Sequence, residues 1–132
     1  MNQLKTGQMP ETLLLSEVVK FVIEQRKIHE RIFRYYSDEQ IAATLARATL
    51  NGTIIVDNFN GPIKGLAIGW LEDDNTTFYV EQWIATGVAS RRRMMINFLS
   101  RFHYIKRIAA KRRERKVTYS NLFKFLQRLF YK

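Results

Sequence analysis

Apolar positions recur every three to four residues from Leu14 to Ile32, and that rhythm predicts a long amphipathic helix from Glu11 to about Arg34. Leu14, Val18, Phe21 (or Val22), Gln25, Ile28 and Ile32 mark its inner side, while Glu17, Lys20, Glu24 and Lys27 form a polar flank. The rhythm breaks at Tyr35–Tyr36. Ser37 then stands where an N-cap belongs, with Gln40 three residues on to complete a capping box. A second helix follows from Asp38 to Leu50 on Ile41, Leu45 and Ala48, and Asn51-Gly52 predicts its end.

The period then changes from helical to alternating. Thr53–Asp57 (TIIVD) is a β-branched run, and Asn60-Gly61 is a strong hairpin signal. Ile63–Leu71 makes the return strand, with Gly65 and Gly69 as bulges or close approaches. Glu72–Asn75 turns the chain into a third strand, Phe78–Thr86, which Gly87 ends. Ser90 is the expected cap of a third helix reaching Phe102, Arg107–Lys111 is a short fourth strand, and Ser120 caps a last helix. That helix has Leu122, Phe123, Leu126, Leu129 and Phe130 on one side and Lys124, Arg128 and Lys132 on the other, the profile of a membrane-surface helix and equally of a terminal helix docked on a sheet; a sheet that needs its second face covered favours docking. The order predicts a single α+β domain over residues 1–132: an antiparallel meander, then a strand–helix–strand crossover with its two strands parallel, and helices on both faces.

Charge adds a statement about partners. Residues 1–86 carry eight Lys/Arg against eleven Asp/Glu, a net of −3; residues 87–132 carry fourteen against one, a net of +13. So uneven a distribution points to an anionic partner, nucleic acid or an acidic protein. There is no cysteine, so disulfides and thiolate–metal sites are excluded, and no metal site is expected. The opening MNQLKTGQMPETLLL lacks the pattern of a signal peptide, and no apolar run approaches the roughly 18 residues of a membrane span. A cytoplasmic protein is the expectation, with self-association left open.

At this point the element order resembles a family. Two N-terminal helices, a meander hinged on NFNGPIKGLAIGW (Asn58–Trp70), and a long strand feeding a basic helix are similar to the Gcn5-related N-acetyltransferase (GNAT) fold. The resemblance implies an acyl-CoA site in the turn after the third strand, where the family's Gln/Arg-x-x-Gly-x-Gly/Ala motif wraps a pyrophosphate at a helix N-terminus. Carried onto this chain, the site takes in Ile84, Ala85, Gly87, Val88, Ser90, Arg91, Arg92 and Arg93. With Arg91 in the first slot, the two small positions of the motif fall on Met94 and Ile96, which implies a degenerate donor turn. Trp83–Gly87 (WIATG) and Ile28–Phe33 (IHERIF) also resemble the toxin-activating lysine acyltransferases, which draw acyl groups from acyl carrier protein. That family's aspartate position holds Gln82 here. Small GNAT-like proteins of this kind resemble phage-encoded virion or host-takeover components, whose setting would be the virion or the host cytoplasm.

The candidate chemistry is thin. Glu81 could serve as a general base on the third strand, against the plainer reading of a strand carboxylate facing solvent or pairing with a nearby arginine. Alternation sends it to the face opposite Gln82. His29 is a helix-surface histidine before it is a catalytic one, and Tyr119 stands where the resemblance implies a general-acid tyrosine. Arg101, Lys106, Arg107, Lys111, Arg112, Arg113, Arg115 and Lys116 form the expected anion-binding surface. Two functions follow: a GNAT-like binding or structural protein with a basic surface, or an N-acyltransferase using acyl-CoA or acyl carrier protein.

Overall fold

A computed structural model describes residues 15–112 and 115–119, with side chains to Lys111. Helix α1 (Leu15–Ile28) and helix α2 (Asp38–Asn51) are followed by β1 (Ile54–Asp57), β2 (Gly65–Glu72) and β3 (Thr77–Ala85), then α3 (Val88–Arg101), β4 (Arg107–Arg112) and β5 (Arg115–Tyr119). The strands form one sheet in the order β1-β2-β3-β4-β5, antiparallel except for the parallel pair β3–β4. The meander, the crossover and the α+β class are those the sequence predicts. The sheet has five strands, one more than expected: Val117, Thr118 and Tyr119 favour a strand, and the basic run around them hides it in the sequence. Arg113 and the final helix from Ser120 lie outside the described residues.

Each face of the sheet carries its own core. On one, Val18, Phe21 and Val22 of α1 and Ile41, Leu45 and Ala48 of α2 pack on Ile54, Val56, Leu66, Ile68 and Ile84. On the other, Met94, Phe98 and Phe102 pack on Ile55, Ala67, Phe78, Val80 and Ile108. Phe78 and Phe98 meet edge to face at 5.1 Å, with Phe102 4.7 Å from Phe78. Burying side chains of this size contributes roughly 1.5–3 kcal/mol each. Strand alternation divides them between the two cores, as a sheet covered on both sides requires.

Helix α1 stops at Ile28, six residues before the expected end. The chain turns instead, with Phe33 and Tyr35 at positive φ (48° and 74°). This irregular backbone lets the adjacent Ile32 and Phe33 both enter the core and presents the Phe33 N–H to Gln82 Oε1 at 3.1 Å. Arg26 fastens the far side of the turn, donating to the Tyr36 carbonyl at 2.6 Å and pairing with Asp38 at 2.5 Å. Helix α2 starts on the expected capping box of Ser37 and Gln40 and ends at Gly52, whose φ of 68° suits a residue without a Cβ.

Candidate functional site

The site is shaped by where strand pairing stops. β3 pairs with β2 as far as Ala85, but with β4 only over Thr77–Val80 against Arg107–Ala110. β4 continues beside β5 to Arg112. Past Val80 and Ala110 the parallel neighbours therefore share no ladder. Because β3 and β4 run in the same direction, their C-terminal ends form the two sides of one mouth. β3 leads through Gly87 into α3, and β4 leads to Lys111 and Arg112, opposite Lys116 and Arg115 of β5. Ligands of open α/β sheets sit outside such strand ends, where neighbouring chains part.

The turn at the mouth is held from behind. The Lys64 carbonyl accepts from Thr86 N (3.0 Å), Thr86 Oγ1 (2.7 Å) and Ser90 Oγ (2.9 Å). Ser90 is thus buried and does not cap α3, a correction to its expected role: the N-cap is Gly87, with no side-chain hydrogen bond, and the first turn of α3 has no acid. The leading N–H groups of α3 have no side-chain acceptor from a cap. Gly87 has φ 178°, ordinary extended backbone, and a Cβ there would touch nothing within 4 Å, so the fold itself does not require glycine. Val88 is exposed, Ile84 lies in the α1/α2 core, and Ala85 packs on the α3 side.

The motif slots taken from the sequence land inside the helix. α3 begins at Val88, so Met94 is in its second turn and Ile96 in its third. Met94 is fully buried beneath Gly65, and Ile96 is exposed, so neither stands at the turn.

The basic residues sort into three groups. Arg93 makes a bidentate pair with the buried carboxylate of Asp57 (Nε–Oδ1 and Nη2–Oδ2 both 2.9 Å) and lies over the Phe59 ring at 4.9 Å. Burial pushes the Asp57 carboxyl up, but hydrogen bonds from Arg93, Ser90 and the Phe59 N–H outweigh it and hold the carboxyl below its ordinary value. The Ser90 hydroxyl lies between that carboxylate and the Lys64 carbonyl, with one proton to share. Arg101 donates to the Gly52 carbonyl at 2.5 Å, joining the ends of α2 and α3, and burial lowers its guanidinium pKa. Lys106 and Arg107 are exposed at the start of β4, where both backbone N–H groups bond Thr76 O. They sit beside the acidic turn at Asp73, about 16 Å along the strand from Arg112. The mouth is flanked by Arg91, Arg92, Lys111 and the strand positions Arg112, Arg115 and Lys116. Counting charge along the sequence merges what the fold separates.

The catalytic candidates do not come together. His29 is exposed just past α1, and Tyr119 pairs with Ile108 at the opposite end of β4 from the mouth. Glu81 alone is placed at the parting of the strands. Ile68 pairs with Gln82 and Gly69 with Val80, so Glu81 is the extra residue of a β-bulge. The bulge cancels one step of alternation, which corrects the expected opposition of Glu81 and Gln82. Both reach the connection after α1, Glu81 Oε1 accepting from Tyr36 Oη at 2.5 Å. That hydrogen bond, then burial, then the carboxylate's charge push the Tyr36 phenol up to about 12. Gly69 makes the bulge possible, because a Cβ there would overlap the Tyr79 carbonyl oxygen. The bulge, Tyr36 and the Asp57–Arg93 pair were invisible to periodicity, and only Gly69 signalled any of them.

Among solved structures, the chain is similar to a GNAT-family acetyltransferase from Bacillus anthracis, at 13% identity and a TM-score of 0.39 over 71% of this chain and 59% of that one. The chain thus spans less than two thirds of that protein's length. No protein-family model and no curated protein matches it. A likeness that slight says nothing of activity. Among the described residues, no helix is long and apolar enough to cross a membrane.

Proposed function

We propose that this GNAT-like domain is a binding protein that takes a phosphate-bearing polymer at the mouth between β3 and β4. The observation that carries this reading is the start of α3. It has no side-chain cap and no acid in its first turn, it carries Arg91–Arg93, and the parallel pair brings the strand positions Lys111, Arg112, Arg115 and Lys116 to the same end of the sheet. Cations near a helix N-terminus oppose its dipole, and a bound anion reverses that penalty while accepting from the N–H groups. The test is binding of a single-stranded oligonucleotide across a salt series. Arg91→Gln with Arg92→Gln should weaken it and reduce the salt slope by about 1.4, roughly 0.7 for each lost contact. Lys106→Gln with Arg107→Gln, at the other end of β4, should leave it unchanged. Equal loss from both pairs would sink the placement, and binding of an acidic protein alone would change the partner.

One observation favours a second reading, N-acyl transfer from acyl-CoA or acyl carrier protein: Glu81 stands on a bulge where β3 loses its parallel neighbour. In that reaction Glu81 takes a proton from an ammonium group. The freed amine attacks the thioester carbonyl, the C–S bond breaks as the amide forms, and the proton lost by the attacking nitrogen goes to the departing thiolate. Acetyl-CoA in large excess over its Kd should then raise Tm by linkage, about 2.7 kcal/mol of stabilisation at a hundredfold excess, and an acetylated amine should appear by mass. Absence of both ends this reading.

A further inference from the structure

The loop from Asn58 to Lys64, between β1 and β2, is tied down at both ends and holds one aromatic ring out of its own packing. Phe59 is 56% exposed. Its N–H donates to Asp57 Oδ1 at 3.3 Å and its carbonyl accepts from Lys64 Nζ. The Gly61 N–H donates to the Asn58 carbonyl at 3.1 Å, and the Lys64 N–H closes the loop on the Asp57 carbonyl at 2.7 Å. The Arg93 guanidinium lies over the ring at 4.9 Å and is itself fixed by two hydrogen bonds to Asp57. A single exposed apolar side chain is ordinary. An aromatic ring set on a fixed guanidinium, on a loop that cannot fold it away, is a preorganised platform.

Sheet order places this platform. Asp57 and Ala85 both pair with Gly65, so the loop stands at the same end of the sheet as the mouth. It lies on the β1 side of β3 and the mouth on the β4 side. Between them is the turn that starts α3, held to the Lys64 carbonyl through Thr86 and Ser90. Two to three strand spacings, roughly 12 Å, separate loop and mouth. Arg92 and Val88 are exposed on the helix start between them. The charge of Arg93 is met by Asp57, so Arg93 carries the ring instead of holding a phosphate. Bases of a single strand stack on aromatic side chains with little regard to sequence, whereas the bases of a duplex are stacked on one another. We infer that Phe59 is a stacking platform for a nucleobase, so that the polymer taken at the mouth is single-stranded nucleic acid. The phosphate contacts rest on the binding reading above and the base contact on Phe59, so the two can fail separately.

The test compares a single-stranded oligonucleotide, an abasic strand of the same length, and vesicles containing anionic lipid. Phe59→Ala should weaken the oligonucleotide about tenfold and leave the abasic strand unaffected. The salt slope should not change, because no phosphate contact is lost. Phe59→Leu keeps an apolar cover over Arg93 without a π face and should weaken the oligonucleotide in the same way, which separates stacking from damage to the loop. Phe59→Trp should bind and add an emission that the oligonucleotide quenches and the abasic strand does not. Wild-type affinity in Phe59→Ala and Phe59→Leu, or equal losses on both strands, overturns the platform. If Arg91→Gln with Arg92→Gln still weakens both strands, the phosphate reading stands without it. Loss at Phe59 with none at the arginine pair keeps the platform and removes the phosphate contacts assigned to α3. Vesicle binding lost in Phe59→Ala, with no preference for the oligonucleotide over the abasic strand, would make the ring a lipid contact and overturn the base site.

Discussion

Helices α2 and α3 are both fourteen residues long and begin in opposite ways. α2 starts with a reciprocal capping box, and Asp38 and Glu39 in its first turn complement the dipole. α3 starts at an uncapped glycine and carries Arg91, Arg92 and Arg93 where acids would be favourable. The carboxylate of Asp57, at the end of β1, reaches its start through Arg93 and Ser90. One helix is electrostatically complete within its own sequence. The other is held by packing and by a distant acid. The proposed binding role rests on that difference at the start of α3.

The comparison can be broken from the packing side first. Met94 is fully buried and anchors α3 near its start, so Met94→Ala should cost about 2–5 kcal/mol in urea unfolding. Ser37→Ala removes the cap of α2 and should cost about 1 kcal/mol in the same measurement. A pH series sharpens the contrast next. The ordinary aspartate value is about 3.9, and Asp57 is held below its ordinary value in the fold. It therefore contributes stability above the unfolded value and loses it as pH falls through the folded one. In Arg93→Met only the Ser90 hydroxyl and the Phe59 N–H remain to offset burial at Asp57. The Tm gap between wild type and variant should then be widest near neutral pH and narrow below about pH 4. A gap independent of pH would remove Asp57 from the account. The smallest stability effect is the most telling. Gly87→Asp gives α3 a cap and an acid, and should stabilise by about 0.3 kcal/mol while weakening oligonucleotide binding at the mouth.

The framework was legible wherever local pattern decides it. Ser37–Gln40, Asn51-Gly52 and the β-branched Thr53–Asp57 each specify their elements within a few residues. What stayed hidden depends on partners far apart in the chain. Arg93 looks like its neighbours Arg91 and Arg92 until Asp57, thirty-six residues earlier, arrives beside it. Arg101 meets Gly52 across forty-nine residues and looked like part of the cationic run. Glu81 was read by strand parity, which a bulge suspends for one step. Charges and alternation are read one residue at a time, whereas the site is made of pairs.

The shortness of the β3–β4 ladder has a kinetic consequence. Among the described residues β4 pairs with β3 over Thr77–Val80 against Arg107–Ala110, with Thr76 O also accepting from the N–H groups of Lys106 and Arg107, whereas β2 and β3 pair from Gly65 and Ala85 to Glu72 and Thr77. Cooperative units with few joining hydrogen bonds open at lower free energy than the body they dock on. The amides of β4 and β5 should therefore exchange with solvent ahead of those of β2, which hydrogen exchange would show.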